Sequence, residues 1–434
     1  MMERYKEYKD SGVKWLGEIP SHWEVVPLRK YLKINTRRNM PEAQLLSVTR
    51  EEGVIVRNVE SKEENHNYIP DDLSNYKYVQ RGQFVINKMK SWQGSYGVSN
   101  YDGIVSPAYF VYDLNYPNKD YFNIAIRSKI FSPFFSKYSK GIRVDQWDLT
   151  PEALKIIPFL EPPKAEQDAI VRYLDSATSE IDKAIAMQQK MIDLLNERKQ
   201  IIIQNAVTKG LDENVEMKES GVESIGRIPI GWKIKKLKYV MRSFGRIGFR
   251  GYGTKDIVDE GQGAITLSPS NIQESSMDYS KRTYLSWNKY YESPEIMIEN
   301  GDVLMVKTGS SYGKCAIVKN MPMECTINPQ LVVFKEHTEM PEYLAYCFQA
   351  SFAKFFINTS VIGGTIPTIS QEKINNYVFP FPMKSEQQQI VTYLDSEMQR
   401  FDSAITNCQR QITLLQERKQ IIINEVVTGK VRVI

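Results

Sequence analysis

Two long stretches of the chain carry an apolar residue at every third or fourth position, with polar residues between them. This spacing predicts an amphipathic helix. Prolines stand just ahead of both stretches, and Gly210 and Gly429 stand at their ends as helix stops. About 40 residues of helix would be roughly 60 Å long, which is typical of coiled coils. The apolar seam positions are Leu174, Ile181, Leu195 and Ile202 in the first stretch and Leu394, Phe401, Leu415 and Ile422 in the second.

The two helical stretches are copies of each other. Residues 166–210 and 386–430 align without a gap, 220 residues apart, and about half of the aligned positions are identical. A shorter entry motif, residues 11–23, is also repeated at 220–232. The order is therefore entry motif, variable module and long helix, twice over. Two such large repeats predict a pseudo-two-fold molecule, because a solenoid needs three or more short units. The simplest packing of the two helices is an antiparallel coiled coil.

Three polar or weakly polar residues, Gln188, Cys408 and Gln411, fall near the helical seam. They could fix the register of the coiled coil. They could also belong to helix faces that contact another protein. The sequence leaves both interpretations open.

The variable modules, residues 23–163 and 232–382, hold most of the glycine, proline and aromatic residues. Alternating runs at 82–88 and 301–307 predict strands, and apolar periodicity predicts helices at 122–132 and 342–357. Each module is therefore predicted to be α+β. The predicted segments are 1–163 (entry motif and first module), 164–210 (first long helix), 211–382 (linker, second entry motif and second module) and 383–434 (second long helix and tail).

Composition adds bounds rather than a function. The chain has 434 residues, 42% of them hydrophobic and 25% charged, which is a normal globular balance and long enough for about two or three domains. The net charge of +4 only weakly favours a polyanionic partner. The four cysteines lie in the second half without a CxxC pair, so reduced thiols are expected. With no signal peptide or membrane-length apolar run, the sequence predicts an intracellular protein.

The sequence matches none of the catalytic, nucleotide-binding or metal-binding motifs that its residues suggest. The three histidines are far apart in sequence, and no metal-binding spacing occurs. The run from Gly309 to Cys315 imitates a phosphate loop, but it is one residue short between its glycines and has Cys315 where a serine or threonine should bind magnesium. Asn328-Pro329-Gln330 departs from the Asn-Pro-Pro-aromatic turn of amino-methyltransferases. The sequence therefore predicts a binding protein with no catalytic residue, metal site or cofactor of its own.

The duplicated entry motif SGVKWLGEIPSHW, helix start PPKAEQDAIVRYLD and helix end LLNERKQIII resemble the specificity subunits of type I restriction-modification systems, over essentially the whole chain. The resemblance implies two target-recognition domains that read the halves of a bipartite site in double-stranded DNA, with the coiled coil as a ruler between them. It implies two modification subunits, which use S-adenosylmethionine to methylate adenine, and two restriction subunits, which use ATP and magnesium. It also implies a prokaryotic cytoplasmic location without membrane contact.

The residues that would contact DNA are sought in the loops after the two aligned strands. Both loops mix cations with amide and hydroxyl groups between glycines, which suits phosphate contact and base readout; an ordinary polar hairpin loop is the alternative. A further candidate position precedes each long helix, and Arg246 and Arg250 are either phosphate contacts or a solvated basic face. The candidates are Lys88, Lys90, Ser91, Trp92 and Gln93, then Arg143 and Gln146, in the first module, and Lys307, Thr308, Ser310, Ser311, Tyr312 and Lys314, then Thr365, in the second.

Two other functions remain possible at this stage. A stand-alone two-domain DNA-binding regulator would bind a specific site by itself, with a steep dependence on salt. A coiled-coil scaffold whose modules bind protein or carbohydrate would show no DNA binding at any salt concentration.

Overall fold

The computed structural model describes residues 3–59, 69–141, 147–273, 276–361 and 366–433. The chain forms two compact units: unit 1 is Met1–Gln189 with Gln409–Ile434, and unit 2 is Lys190–Cys408. Each unit therefore holds one variable module, the first part of one long helix and the last part of the other. The combination of strands and helices in each unit confirms the predicted α+β class.

The elements of unit 1 are mostly short strands followed by helices. They are β1 (Tyr8–Asp10), β2 (Glu18–Pro20), β3 (Glu24–Pro27), β4 (Leu32–Asn35), β5 (Leu46–Thr49), β6 (Gly53–Val56), β7 (Lys77–Val79), β8 (Phe84–Asn87), β9 (Tyr96–Val98), β10 (Gly103–Val105), β11 (Tyr109–Leu114), α1 (Lys119–Arg127), α2 (Ser132–Tyr138), α3 (Pro151–Lys155), β12 (Pro158–Glu161) and the long helix α4 (Lys164–Lys209), which continues into unit 2.

Unit 2 repeats this order with additional strands. Its elements are β13 (Met217–Glu219), β14 (Arg227–Pro229), β15 (Lys233–Lys236), β16 (Arg242–Phe244), β17 (Ile257–Val258), β18 (Gly263–Leu267), β19 (Ile272–Gln273), β20 (Ser276–Met277), β21 (Tyr284–Ser286), α5 (Trp287–Tyr291), β22 (Met297–Ile298), β23 (Val303–Val306), β24 (Cys315–Ile317), β25 (Cys325–Ile327), β26 (Leu331–Lys335), α6 (Pro341–Gln349), α7 (Ser351–Ser360), α8 (Gln371–Asn375), β27 (Val378–Phe381) and the long helix α9 (Lys384–Val427), which ends in unit 1.

A four-stranded antiparallel sheet is common to both units. Its order is β4-β11-β8-β9 in unit 1 and β16-β26-β23-β24 in unit 2. In both units a two-stranded pair, β3 with β12 or β15 with β27, leads into the long helix, and an entry hairpin, β1–β2 or β13–β14, precedes it. Unit 2 adds a five-stranded sheet, β17-β21-β18-β25-β22. The predicted strands at 82–88 and 301–307 are therefore the sheet strands β8 and β23.

The two predicted module helices differ from the structure in one respect. Residues 342–357 form two helices, α6 and α7, separated by the extended residue Ala350. The Gln204 side chain of the long helix accepts hydrogen bonds from Ser351 Oγ (3.1 Å) and from the Phe352 backbone N–H (3.4 Å). A tertiary contact thus caps the second helix, which apolar periodicity could not predict. The helix predicted at 122–132 ends at Arg127, and the next helix begins only at Ser132.

Within each unit the two long helices run antiparallel and are joined by the same ion pair. In unit 1, Lys419 Nζ lies 2.6 Å from Asp182 Oδ1, and in unit 2, Lys199 Nζ lies 2.5 Å from Asp402 Oδ1. Each of these four residues has its counterpart 220 positions away. Both units therefore pair their helices in one register, and the predicted antiparallel coiled coil is confirmed.

The module of each unit is fixed to the helices by a buried tryptophan. Trp23 donates its indole N–H to Glu166 Oε2 (2.9 Å) in unit 1, and Trp232 donates to Glu386 Oε1 (3.1 Å) in unit 2. Both indoles are almost fully buried in the main core of their unit. Because a buried donor needs an acceptor, each entry motif is held by the first turn of a long helix.

A second anchor uses the far end of the other helix. In unit 1, Tyr121 Oη donates to the carbonyl of Val427 (3.4 Å). In unit 2, Tyr343 Oη lies between two carbonyl acceptors, Val207 (3.3 Å) and Pro380 (3.0 Å). Both helices then terminate near a left-handed glycine. Gly429 has φ +70°, and a Cβ there would lie 2.4 Å from Pro20 Cδ, so only glycine fits against the entry motif.

Candidate nucleic-acid interface

The candidate loops are the connections of two equivalent hairpins, β8–β9 in unit 1 and β23–β24 in unit 2. Backbone hydrogen bonds close both loops, from Asn87 N to Ser95 O (3.0 Å) and from Val306 N to Lys314 O (2.9 Å). Gly94, with φ +100°, turns the first loop back to its strand, and Gly309 and Gly313 take left-handed conformations in the second. Backbone hydrogen bonds and left-handed glycines therefore close both loops.

In unit 1 the loop divides into buried and exposed candidates. Ser91 is buried and donates to the carbonyl of Lys88 (3.1 Å), which is a structural role. Trp92 is half-buried, with its ring centroid 5.5 Å from that of Trp147. Lys90 and Gln93 are exposed to solvent. Among these candidates, only Lys90 and Gln93 have side chains fully available to a ligand.

The first candidate of this loop, Lys88, is already paired. Its Nζ lies 2.8 Å from Asp148 Oδ2, and both side chains are partly exposed. Lys88 also lies near another cation, Lys77. Burial and the positive charges of Arg38 and Lys88 lower the pKa of Lys77. Asp148 therefore offsets one cation in a region that is otherwise rich in them.

Arg127 of α1 was not among the predicted site residues, yet it holds this loop in place. Its guanidinium donates to the carbonyls of Tyr96, Arg50 (3.1 Å) and Glu51 (2.8 Å), so it ties the β8–β9 hairpin to the β5–β6 turn. Burial lowers the pKa of Arg127. The equivalent residue in unit 2 is Gln349, and no local sequence pattern marks either position.

In unit 2 the loop presents a different set of groups. Ser310 and Lys314 are exposed, and Ser311 accepts the backbone N–H of Lys314 through its carbonyl (3.3 Å). Tyr312 Oη donates to Asn358 Oδ1 at 3.4 Å, which directs the phenol toward α7. Thr308 pairs with Thr368 in an antiparallel bridge. Ser310, Lys314 and the Tyr312 ring face a cleft of about 660 Å³ that Lys354 also lines.

Lys307 is half-buried at the end of β23. Burial lowers the pKa of its amine. None of the carboxylates in the described ranges forms an ion pair with it, in contrast to Lys88. Lys307 and Lys88 occupy the same position in their hairpins and differ in electrostatic environment.

The other candidate positions are only partly described. Arg143, Gln146 and Thr365 lie outside the described residues. Arg246 is buried and donates to the carbonyl of Ile327 (3.0 Å) and to Thr326 Oγ1 (3.0 Å), and Arg250 pairs with Glu295 (3.2 Å). These two arginines therefore have structural partners inside unit 2.

The seam candidates differ in how deeply they are buried, and Leu174 and Leu394 belong to the main core of their unit. Leu174, Ile181 and Leu394 are buried, and Leu195, Ile202, Phe401, Leu415 and Ile422 are half-buried.

Other apolar residues of the helices face solvent at repeated positions. Leu194 and Leu414 are 50% and 48% exposed, and Ile201 and Ile421 are 43% and 55% exposed. A groove beside them is also repeated. In unit 1 it has a volume of about 500 Å³ and lies between Tyr173 and Arg418, and in unit 2 it has a volume of about 650 Å³ and lies between Tyr393 and Arg198. Apolar patches on a protein surface mark interaction sites when they are contiguous, so these positions are candidates for a protein interface.

The described residues contain neither a metal-binding cluster nor a membrane-spanning helix. Within the described ranges, no three histidine, cysteine or acidic side chains come together as a metal site. The helices of the same ranges include none that combines the length and apolar character required to cross a membrane.

Comparisons with known proteins agree with this architecture. The sequence model of the family described as "Type I restriction modification DNA specificity domain" matches residues 252–416. The type I restriction enzyme MjaVIII specificity subunit of Methanocaldococcus jannaschii is 24% identical over the whole chain and 98% of its own length. The putative MjaX specificity subunit of the same organism is 23% identical over the whole chain and 99% of its own length.

A solved structure shares the fold. One chain of a type I restriction-modification system, studied for complex assembly and conformational transition, superimposes with a TM-score of 0.68 at 15% identity, covering 95% of this chain and 99% of its own. The chain is therefore similar over its whole length to type I restriction-modification specificity subunits, and its residues 252–416 match the DNA specificity domain of that family.

Proposed function

We propose that this chain reads a bipartite, asymmetric site in double-stranded DNA through its two modules and scaffolds the methyltransferase and restriction subunits, without catalytic residues of its own. The observation that carries the proposal is the contrast between repeated anchors and divergent hairpin loops. Both units anchor their module through a tryptophan and a tyrosine at equivalent places, while the loops after β8 and β23 present different side chains. A shared frame with two different readers suits a site whose halves differ in sequence.

The loop chemistry supports contact with DNA. Lys90 and Gln93 in unit 1, and Ser310 and Lys314 in unit 2, are exposed on short loops held by rigid strands. Lysines bind phosphates, whereas amides and hydroxyls can also read base edges in a groove. The loops would therefore provide both the sequence-independent and the sequence-specific part of binding.

The repeated helix surface supports protein partners. The exposed residues Leu194 and Ile201 have counterparts in Leu414 and Ile421, and the Tyr173 groove has its counterpart at Tyr393. Two equivalent surfaces favour two copies of one partner, which would be the modification subunit. S-adenosylmethionine, ATP and magnesium would then be bound by partner subunits.

The proposal is tested by co-expressing the chain with its methyltransferase partner and mapping methyladenine across the host genome. We expect one motif made of two short specified halves separated by a fixed unspecified spacer. An active complex without such a motif would contradict the proposal. Specific binding by the chain alone, with no need for a methyltransferase, would favour the stand-alone regulator, and no DNA binding at any salt would favour the scaffold.

The ruler role has its own test. Removing seven residues from the stretch 180–196, together with the aligned seven from 400–416, shortens each helix by about 10 Å. This corresponds to a spacer shorter by about three base pairs at 3.4 Å each. Both half-sites should stay readable while the spacer shortens. Changed half-sites with the original spacer would contradict the ruler.

A further inference from the structure

Lys88 and Lys307 are equivalent residues, which makes one a control for the other. Each directly follows the central strand of the four-stranded sheet. The carbonyl of Lys88 accepts the backbone N–H of Leu149 (3.2 Å), and that of Lys307 accepts the N–H of Ile369 (2.9 Å). The next residues, Thr150 and Ser370, cap the short helices α3 and α8 in the same way.

This alignment identifies the residue that differs. Asp148 directly precedes Leu149, and Thr368 directly precedes Ile369. In unit 1 the Asp148 carboxylate lies 2.8 Å from the Lys88 amine. In unit 2 a threonine occupies that position, and its backbone pairs with Thr308. The ion pair of unit 1 thus has no counterpart at Lys307 among the residues that the structure describes.

The surroundings of Lys307 leave its amine half-buried and uncompensated. Its Nζ lies over Gly245, where a Cβ would come within 3.3 Å of it, so the absence of a side chain leaves room for the ammonium group. A partly desolvated cation without an anionic partner is unfavourable in the free protein. An anionic ligand would supply the missing partner, and no ion pair within the described ranges would have to be broken first.

We propose that Lys307 makes a DNA phosphate contact in unit 2, and that Asp148 withholds the equivalent contact from Lys88 in unit 1. This inference rests on the proposed DNA-binding function and adds that the two modules bind the backbone unequally. A single ammonium acts as a point charge, so a phosphate oxygen suits it better than bidentate base recognition. Unit 2 would then contribute more of the salt-dependent affinity than the equivalent position of unit 1.

The test uses the full-length chain and a labelled 60-base-pair duplex of mixed sequence, with affinity measured from about 50 to 200 mM salt. Lys307→Met retains the aliphatic stem and removes the charge, and Lys88→Met is its matched control. We expect Lys307→Met to weaken binding several-fold and to reduce the magnitude of the salt slope by about 0.9, the value for one phosphate contact. Lys88→Met should leave the slope unchanged.

Exchanging the acidic residue tests the inference without removing a lysine. Thr368→Asp should reproduce the pairing of unit 1 and lower affinity as Lys307→Met does. Asp148→Thr should free Lys88 and increase the magnitude of the slope by about 0.9. Circular dichroism before each titration selects folded variants, and the two exchanges keep the inference testable if one lysine variant does not fold.

Failure of the inference can be distinguished from failure of the proposed function. Wild-type binding with a clear salt slope, combined with equal effects of Lys307→Met and Lys88→Met, would overturn the inference and leave DNA binding intact. A loss confined to duplexes that carry the mapped methylation motif would indicate a base contact and would also overturn it. If the wild-type chain and its methyltransferase complex bind no DNA at any salt, both proposals fail.

Discussion

The two units are alike where they touch the long helices. They differ at the tips of their four-stranded sheets, which are the β8–β9 loop in unit 1 and the β23–β24 loop in unit 2. In unit 1 the tip is tied by Arg127, which joins two hairpins through backbone carbonyls. In unit 2 the equivalent Gln349 lines two clefts of about 840 and 660 Å³ instead. The helices are near-copies, so any module that docks on them must keep the same anchors. The hairpin loops at the tips have no such requirement, so their side chains are free to differ between the units.

The largest expected effect comes from removing an anchor that both units share. Trp23→Ala or Trp232→Ala should each destabilise its own unit by about 3–5 kcal/mol, because a large side chain is lost from a packed core. In differential scanning calorimetry the transition of that unit should move down by roughly 10 °C.

Matched controls separate packing from hydrogen bonding in that experiment. Trp23→Phe and Trp232→Phe keep most of the volume and remove the indole N–H that Glu166 or Glu386 accepts. These phenylalanine variants should lower the free energy of unfolding much less than the alanine variants do. If the alanine substitution leaves the stability of a unit unchanged, the tryptophan does not anchor that unit, and the two units do not share this anchor.

The shared frame was predictable from the sequence, and the tips were not. Helix periodicity and the 220-residue repeat predicted the coiled coil and its buried positions such as Leu174 and Leu394. The hairpins were predicted from alternation at 82–88 and 301–307. The partners of the loop residues depend on contacts distant in sequence: Asp148 is 60 positions from Lys88, and Arg127 is 31 positions from Tyr96. Local patterns carry no information about such pairs.

The next effect tests whether Arg127 makes the tip of unit 1 distinct. Arg127→Gln introduces the residue that unit 2 has, and it leaves the carbonyls of Arg50 and Glu51 without a charged donor. We expect a loss of about 2 kcal/mol, since hydrogen bonds from a charged group contribute about 1.5–3 kcal/mol. Urea unfolding measures it, and hydrogen exchange should show faster exchange in the β5–β6 turn.

The reciprocal variant is the control. Gln349→Arg places the longer side chain beside clefts that lack the hairpin carbonyls, so it should not stabilise unit 2. A gain in unit 2 equal to the loss in unit 1 would mean that the two tips are more alike than their contacts indicate.

A smaller effect depends on pH and concerns the anchor carboxylate of unit 1. Burial raises the pKa of Glu166, but hydrogen bonds from Trp23, Tyr5 (2.8 Å) and His22 (2.5 Å) outweigh it, so that the pKa lies below its ordinary value. A carboxyl with a lowered pKa in the folded state stabilises the fold above its unfolded pKa, near 4.3, and this contribution is lost as pH falls through the folded pKa. Glu166→Gln should therefore destabilise unit 1 at neutral pH by about 1–2 kcal/mol.

Unfolding free energies measured between about pH 3 and 7 show whether the contribution of Glu166 to stability decreases in acid, as expected. The difference between wild type and Glu166→Gln should be largest at neutral pH and should shrink as the solution becomes acidic. A difference that grows in acid would mean that Glu166 is not held as an anion by its three donors.

The smallest expected effect concerns the ion pairs that the two helix pairings share. Asp182–Lys419 and Asp402–Lys199 have the same geometry, and their aspartates are 53% and 62% exposed. Partly exposed pairs contribute about 0.2–1 kcal/mol. A double-mutant cycle with Asp182→Asn and Lys419→Met, repeated with Asp402→Asn and Lys199→Met, should give equal coupling energies in that range.

Lys199 also lines both clefts of unit 2, so Lys199→Met alone should alter DNA or partner binding more than Lys419→Met does. If the two coupling energies differ by more than about 1 kcal/mol, the two helix pairings are not equivalent. The difference between the units would then include the long helices as well as the hairpin loops.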